Sequence, residues 1–296
     1  MTHNHCWILI DKPLGPTSTQ VTNHIRKIFG AKKAGHGGTL DPLATGLIPI
    51  ALGEATKTVP WVMDAAKEYE FTVRWGQSTT TDDAEGEVTH TSEHIPTVQN
   101  IQFCLPTFMG EISQTPPIFS AIKVDGKRSY DLARQGKDIE LKSRVVTIFA
   151  LNLIECIDDH HTRFKVHCSK GTYVRSLARD MALALGTFGH VTALRRTRIG
   201  KILVEHAISL DYLQNLGHSP TLNHGFLAIY DALDDIPGIE VSEHEAVLLK
   251  NGQPLPSRPN LNLGPHSIGM CRFNGVAVAL VRYKEQLLQP FRVFNI

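Results

Sequence analysis

The amino-acid sequence predicts an α+β protein with a small β-rich module at its C-terminal end. Strict apolar–polar alternation marks half-buried strands at Tyr69–Gly76 and Arg163–Cys168. Two capping boxes, Thr17 with Gln20 and Ser242 with Glu245, open amphipathic helices. Pro237-Gly238 closes an acidic stretch and sets off the last 60 or so residues, where Asn274-Gly275 lies between apolar strands as a hairpin turn.

The elements follow in order. Trp7-Ile8-Leu9-Ile10 is a buried strand stopped by the turn-rich Asp11–Pro16. Val21, Ile25, Ile28 and Phe29 form the stripe of the first helix up to Gly30. Leu47–Gly53 is buried, and Glu54–Met63 starts a helix beside it. Tyr69, Phe71, Val73 and Trp75 share one face of the next strand, and the polar run 78–86 is a loop. Asp125-Gly126 signals a hairpin, followed by a short helical patch ending at Gly136. After the 164–168 strand, Ser169-Lys170-Gly171-Thr172 turns into a helix with the stripe Val174, Leu177, Ala178, Met181 and Leu185. Leu194–Lys201 is a cation-rich strand, and the helix capped at Ser242 runs to Lys250, stopped by Asn251-Gly252. Phe291–Phe294 ends the chain as a strand.

Composition narrows the function classes. With 42% hydrophobic and 20% charged residues in 296, the chain matches a soluble globular protein of one large domain or two. Apolar runs are too short for a membrane helix and no secretory signal opens the chain, so a cytoplasmic address is expected. Five dispersed cysteines, without a C-x-x-C pair, read as reduced thiols, and no metal site is expected. The net charge of +1 conceals strong segregation. Residues 1–119 carry −4, 120–201 carry +8, 202–240 carry −6 and 241–296 carry +3. The basic middle, with Arg128, Tyr130 and Arg134 interleaving charge and ring, suits a polyanion, RNA in particular.

One stretch stands apart: Gly35-His36-Gly37-Gly38-Thr39-Leu40-Asp41-Pro42-Leu43-Ala44-Thr45-Gly46. It puts a single carboxylate, Asp41, in a shaped glycine-rich loop. Asp-Pro is also a good helix start, with Gly46 as the stop of one short turn. Lys170-Gly171-Thr172 at a helix N-terminus could cap that helix or receive an anion, but is not a Walker A loop.

Taken together, these motifs resemble the TruB-type tRNA pseudouridine synthases. The resemblance runs through Asp11–Ser18, the whole Gly35–Gly46 block, Gly53–Lys57, Lys67-Glu68-Tyr69 and Thr81–Gly86. It continues in Pro116–Lys123, Ser169–Arg175 and Leu194-Arg195-Arg196, so it spans nearly the first 200 residues. It implies a mixed, mainly antiparallel central sheet with flanking helices over 1–236, a basic RNA-clamping insertion at about 119–142, and a PUA-like RNA-binding domain at 237–296. The implied reaction is the isomerisation of uridine 55 in the TΨC loop of tRNA, without cofactor, with assistance of tRNA folding as a second implied role. A monomer with no obligate protein partner and tRNA, through its T-arm stem-loop, as substrate is expected.

Position by position, the resemblance makes Asp41 the catalytic aspartate, Tyr69 the residue that stacks on the uracil, and Arg175 the partner of Asp41. His36, Tyr173 and Leu194 would shape the pocket. Lys12, Lys123, Lys127, Arg128, Arg134, Lys170, Arg195 and Arg196 are the expected RNA contacts. The chemistry suits one carboxylate: breaking and remaking a glycosidic bond needs an ionised acid beside the sugar, whereas hydrolysis usually needs a second carboxyl for water. A non-catalytic RNA-binding or RNA-folding protein and an aspartate-dependent nucleoside hydrolase are the competing readings.

Overall fold

The computed structural model describes residues 5–120, 122–124, 126–136, 139–215, 224–233, 236–258, 261, 264 and 266–296. Its main sheet is built from β1 (Trp7–Lys12), β2 (Ala34–His36), β3 (Ala44–Leu52), β4 (Lys67–Trp75), β5 (Gly110–Gln114), β6 (Arg144–Cys156), β7 (His161–Cys168), β8 (Gly189–Ile199) and β9 (Ile208–Ser209), with short strands at its margins. Across the sheet the order is β9–β1–β3–β8–β4–β7–β6–β5. The β9–β1 and β3–β8 pairs are parallel and the other neighbours antiparallel. The expected mixed, mainly antiparallel sheet is therefore present.

The helices sit where the apolar stripes require. Helix α1 (Ser18–Ile28) is opened by the Thr17–Gln20 capping box, and its Val21 and Ile25 pack on Ile8, Ile10, Ile48 and Ile50. Helix α2 (Val59–Asp64) follows a 3-10 turn at Gly53–Thr58, so the helix expected from Glu54 is split. Pro60 near its start favours a new first turn there. Helix α3 (Val174–Ala184) lays Leu177, Ala178 and Met181 on Phe71, Val73, Phe164 and Val166. A short hairpin, Lys123–Val124 with Lys127–Arg128, and a helix at Ser129–Arg134 form the insertion.

Strand β1 explains its own unbroken apolar run. Ile8 and Ile10 face α1, whereas Trp7 and Leu9 face the C-terminal module, so both faces are buried. That module pairs β10 (Gly238–Glu240), β11 (Leu255–Pro256), β12 (Ile268–Phe273), β13 (Val276–Lys284) and β14 (Leu287–Val293) in the order β10–β12–β13–β14–β11. Helix α4 (Glu243–Lys250), with the Ser242–Glu245 capping box, covers it. Asn274 and Gly275 both take positive φ, as a tight hairpin requires. Met270, Leu280 and Phe294 share one cluster with Trp7, Leu9, Leu47 and Ala51, so the module buries apolar surface against the main sheet. Lys57 and Glu54 add hydrogen bonds to the Val293 carbonyl and the Asn295 amide.

Three strands converge on the distinctive loop. It precedes β3, and β8 lies parallel to β3 with Leu194 opposite Ala44 and Arg196 opposite Gly46. Across β8, Arg196 is also opposite Tyr69 of β4.

Candidate active site

Asp41 does not start a helix. The Ala44 amide donates to the Asp41 carbonyl at 3.0 Å, closing a single turn before β3 begins at Ala44. Gly46 therefore lies inside a strand and stops nothing. It takes φ +98°, and a Cβ there would stand 2.3 Å from the Arg196 carbonyl oxygen, so only glycine admits the close β3–β8 approach.

The Asp41 carboxylate meets Arg175 at 2.9 Å from Nη2. Arg175, on the first turn of α3, is 5% exposed and anchored in several directions. Its Nη1 donates to the Thr81 carbonyl at 2.8 Å and lies 3.4 Å from the Asp83 carboxylate. Nη2 also donates to the Phe119 carbonyl at 3.0 Å. The guanidinium thus bridges two carboxylates and cannot rotate without losing several bonds. Asp83 is buried and accepts from the Thr81 hydroxyl and the Glu85 amide.

Asp41 lines a cleft with Leu43, Ala44, Asp83, Arg175, Leu194 and the β8 segment Val191–Ala193. Burial raises the Asp41 pKa, Arg175 opposes that, and Asp83 pushes it up again. Lys12 opposes the rise as well. With 38% of its side chain exposed, the carboxylate sits at the mouth of the cleft, reachable by a reactant.

The expected site residues fall into three groups. Asp41, Arg175 and Leu194 come together in the cleft. Tyr69 does not line it but lies behind, on the strand beyond β8. Burial pushes the Tyr69 phenol above its ordinary range, Arg196 pulls it down, and Cys168 and Asp41 push it up. Tyr173 precedes α3, its backbone clamped by the Gln114 amide at 2.8 and 3.1 Å, with the Arg144 guanidinium 4.8 Å above its ring. His36 ends β2 opposite Ile50, outside the residues lining the cleft.

Two expected RNA contacts need correction. Lys12 is fully buried, and its ammonium donates to the Pro13 and Pro42 carbonyls at 2.9 and 3.2 Å. Burial pushes its pKa down to about 8, against the pull of Asp41. Arg196 is 1% exposed and is spent on carbonyls of the Asp41 loop. Both are scaffold for the loop, because β1 and β8 run beneath it. Arg195 is half-buried and paired in bidentate fashion with Asp11, at 2.9 and 2.7 Å. Lys170 is exposed beside Asp64, at 2.9 Å, and Lys127 is exposed on the insertion hairpin. The side chains of Lys123, Arg128 and Arg134 lie outside the described residues.

Residue-type reasoning missed Asp83. By residue type the run 78–86 reads only as a polar loop, although Thr81–Gly86 belongs to the resemblance. The basic middle of the chain is also less bare than its +8 suggests. Lys165 and Arg198 pair with Glu68, Lys170 with Asp64, and Arg195 with Asp11, all acids from the first 119 residues.

Known proteins match this chain in fold and sequence. Among solved structures, a Cbf5-Nop10-Gar1 complex aligns at a TM-score of 0.73 and 26% identity, over 98% of this chain and 85% of the other. An H/ACA RNP bound to a substrate RNA containing 2'-deoxyuridine aligns at 0.76 and 23% identity, over 100% and 87%. Residues 26–174 match the model for the TruB family pseudouridylate synthase (N terminal domain), and residues 175–224 that for the tRNA pseudouridylate synthase B C-terminal domain. Fold and site thus define a pseudouridylate synthase. Proteins named tRNA pseudouridine synthase B from Rhodospirillum rubrum and Caulobacter vibrioides are 50% and 47% identical, covering 99% and 98% of this chain and 97% and 96% of their own. The chain belongs to the TruB family.

Proposed function

We propose that the protein converts uridine to pseudouridine in the T-arm stem-loop of tRNA, at position 55, with Asp41 as the reacting carboxylate and no cofactor. The observation that carries this is the Asp41–Arg175 pair, a carboxylate at the mouth of a cleft held by an otherwise buried guanidinium. The reaction breaks the bond between uracil N1 and C1′ of the ribose, turns the base and joins C1′ to C5. The proton displaced from C5 is lost and N1 gains one, so the product is an isomer.

Asp41 must be ionised beside an electron-deficient sugar. Desolvation works against that charge, and Arg175 counters it while fixing the direction of the carboxylate. Leu194 and the β8 segment next to it offer an apolar wall for a base taken out of its stack, whose cost such contacts offset. Tyr69 would stack on the uracil and, as its phenolate, take the C5 proton. Tyr173 and His36 would help to shape the pocket around the flipped nucleotide, and the basic insertion at about 119–142 would clamp the stem-loop.

The same reading makes 1–236 the catalytic domain and 237–296 a PUA-like RNA-binding domain in a monomeric, cytoplasmic enzyme. Among the described residues no helix is long and apolar enough to cross a membrane. Purified protein should release tritium from unmodified tRNA labelled at uridine C5, with the new pseudouridine mapping to the T loop. Absence of release, or release of free uracil, would sink the proposal.

A further inference from the structure

Arg196 is a buried charged side chain that the proposed chemistry leaves unused, and its position is hard to explain by packing alone. It lies on β8, 1% exposed, opposite Gly46 of β3 and Tyr69 of β4. Nε donates to the Leu47 carbonyl at 2.8 Å, Nη1 to Thr39 at 3.3 Å and Nη2 to Gly38 at 3.0 Å. Two of these acceptors precede Asp41 and one follows it, so a single planar group brackets both ends of the loop. Gly38 has φ +136°, and a Cβ there would stand 3.3 Å from Nη1, so its glycine leaves room for that group.

Among the described residues no carboxylate lies within ion-pair distance of this guanidinium. Burying a cation costs several kcal/mol, and a well-packed apolar side chain of similar size avoids that cost. Charge-assisted bonds to three carbonyls offset it, but they require the rigid fork of arginine; a lysine ammonium cannot reach three acceptors in one plane. Across the β8–β4 pair Arg196 lies opposite Tyr69, and its charge pulls the Tyr69 phenol down against burial.

We propose that Arg196 is a positioning residue for uridine isomerisation: its guanidinium locks the Asp41 loop and Tyr69, which come from different strands, into one arrangement. This rests on the function proposed above. Arg196 touches no reactant and acts through the loop backbone and the tyrosine. The loop is then held twice, through the Asp41 carboxylate by Arg175 and through the Gly38, Thr39 and Leu47 carbonyls by Arg196.

The test compares full-length parent protein, Arg196→Lys, Tyr69→Phe and the double variant. Melting, tRNA affinity by filter binding and single-turnover tritium release are measured, each below the variant's own Tm. Folded Arg196→Lys should lose about 100-fold in single-turnover rate, as a displacement on the order of 1 Å can cost, while tRNA Kd stays within about threefold. Its effect should combine with that of Tyr69→Phe to less than the product of the two losses. The proposal is overturned by a rate within about threefold of the parent, by an affinity loss that matches the rate loss, by fully multiplicative effects, or by a variant that does not fold. A parent protein inactive on tRNA would instead refute the functional reading.

Discussion

Replacing Arg175 with Met removes a group that touches both Asp41 and Asp83. The loss comprises ion pairs at 2.9 and 3.4 Å and bonds to two carbonyls at 2.8 and 3.0 Å. Asp83, with 9% of its side chain exposed, is left buried without its cation. Truncating one side of a buried pair costs about 3–5 kcal/mol, and the open side of Asp41 argues for the lower figure. At roughly 2–4 °C per kcal/mol, the melting temperature should fall by about 10 °C.

The pH dependence carries more information. Arg175 opposes the upward push on Asp41 from burial and Asp83, so its removal raises that pKa further. A carboxylate needed in ionised form is then scarcer at any pH near or below the new pKa. The rate deficit of Arg175→Met should therefore shrink as pH rises through the new pKa. Stability should move the other way. An acid with a raised folded-state pKa binds more protons when folded, so lowering the pH through that window narrows the melting deficit. Single-turnover tritium release and thermal melts across the range measure both. A rate deficit that is equal at every pH would refute the reasoning.

Two further outcomes follow from buried groups around the loop. Burial pushes the Lys67 pKa down from 10.5 to about 8, so the unfolded chain binds more protons between those values and stability should rise with pH there. Lys67→Met should flatten the dependence of Tm on pH over that interval, and an unchanged slope would contradict it. Gly46→Ala should destabilise the protein by more than about 4 kcal/mol, because its methyl would overlap the Arg196 carbonyl at a φ that disfavours side chains. A melt within a few degrees of the parent would show that β3 and β8 can separate cheaply.

Much of this was legible in the sequence, for local reasons. The capping boxes, the alternation of Tyr69–Trp75 and the Asn274-Gly275 turn depend on neighbours in the chain, and each is present as read. Arg175 and Leu194 were placed with Asp41 through the family resemblance, since no periodicity connects residues more than 130 positions apart. Lys12 and Arg196 show the limit. A cation near a glycine loop looks like a phosphate contact until sheet order puts its strand underneath that loop. The glycines changed meaning for the same reason. Gly38 and Gly46 make room for Arg196 itself, where the sequence showed only a shaped loop around a single acid. Asp83 escaped notice because its importance lies in sharing one guanidinium with Asp41, a relation that exists only after α3 docks.

The central claim is that Asp41 is the reacting carboxylate. Asp41→Asn keeps the shape of the side chain and removes its charge, so it separates chemistry from RNA binding. The measurement is single-turnover conversion of unmodified tRNA by parent and variant, alongside tRNA affinity. Turnover should disappear in the variant while affinity stays within about threefold, because the basic surface and the Arg196 scaffold are untouched. Persisting pseudouridine formation by a homogeneous Asp41→Asn protein would contradict the account.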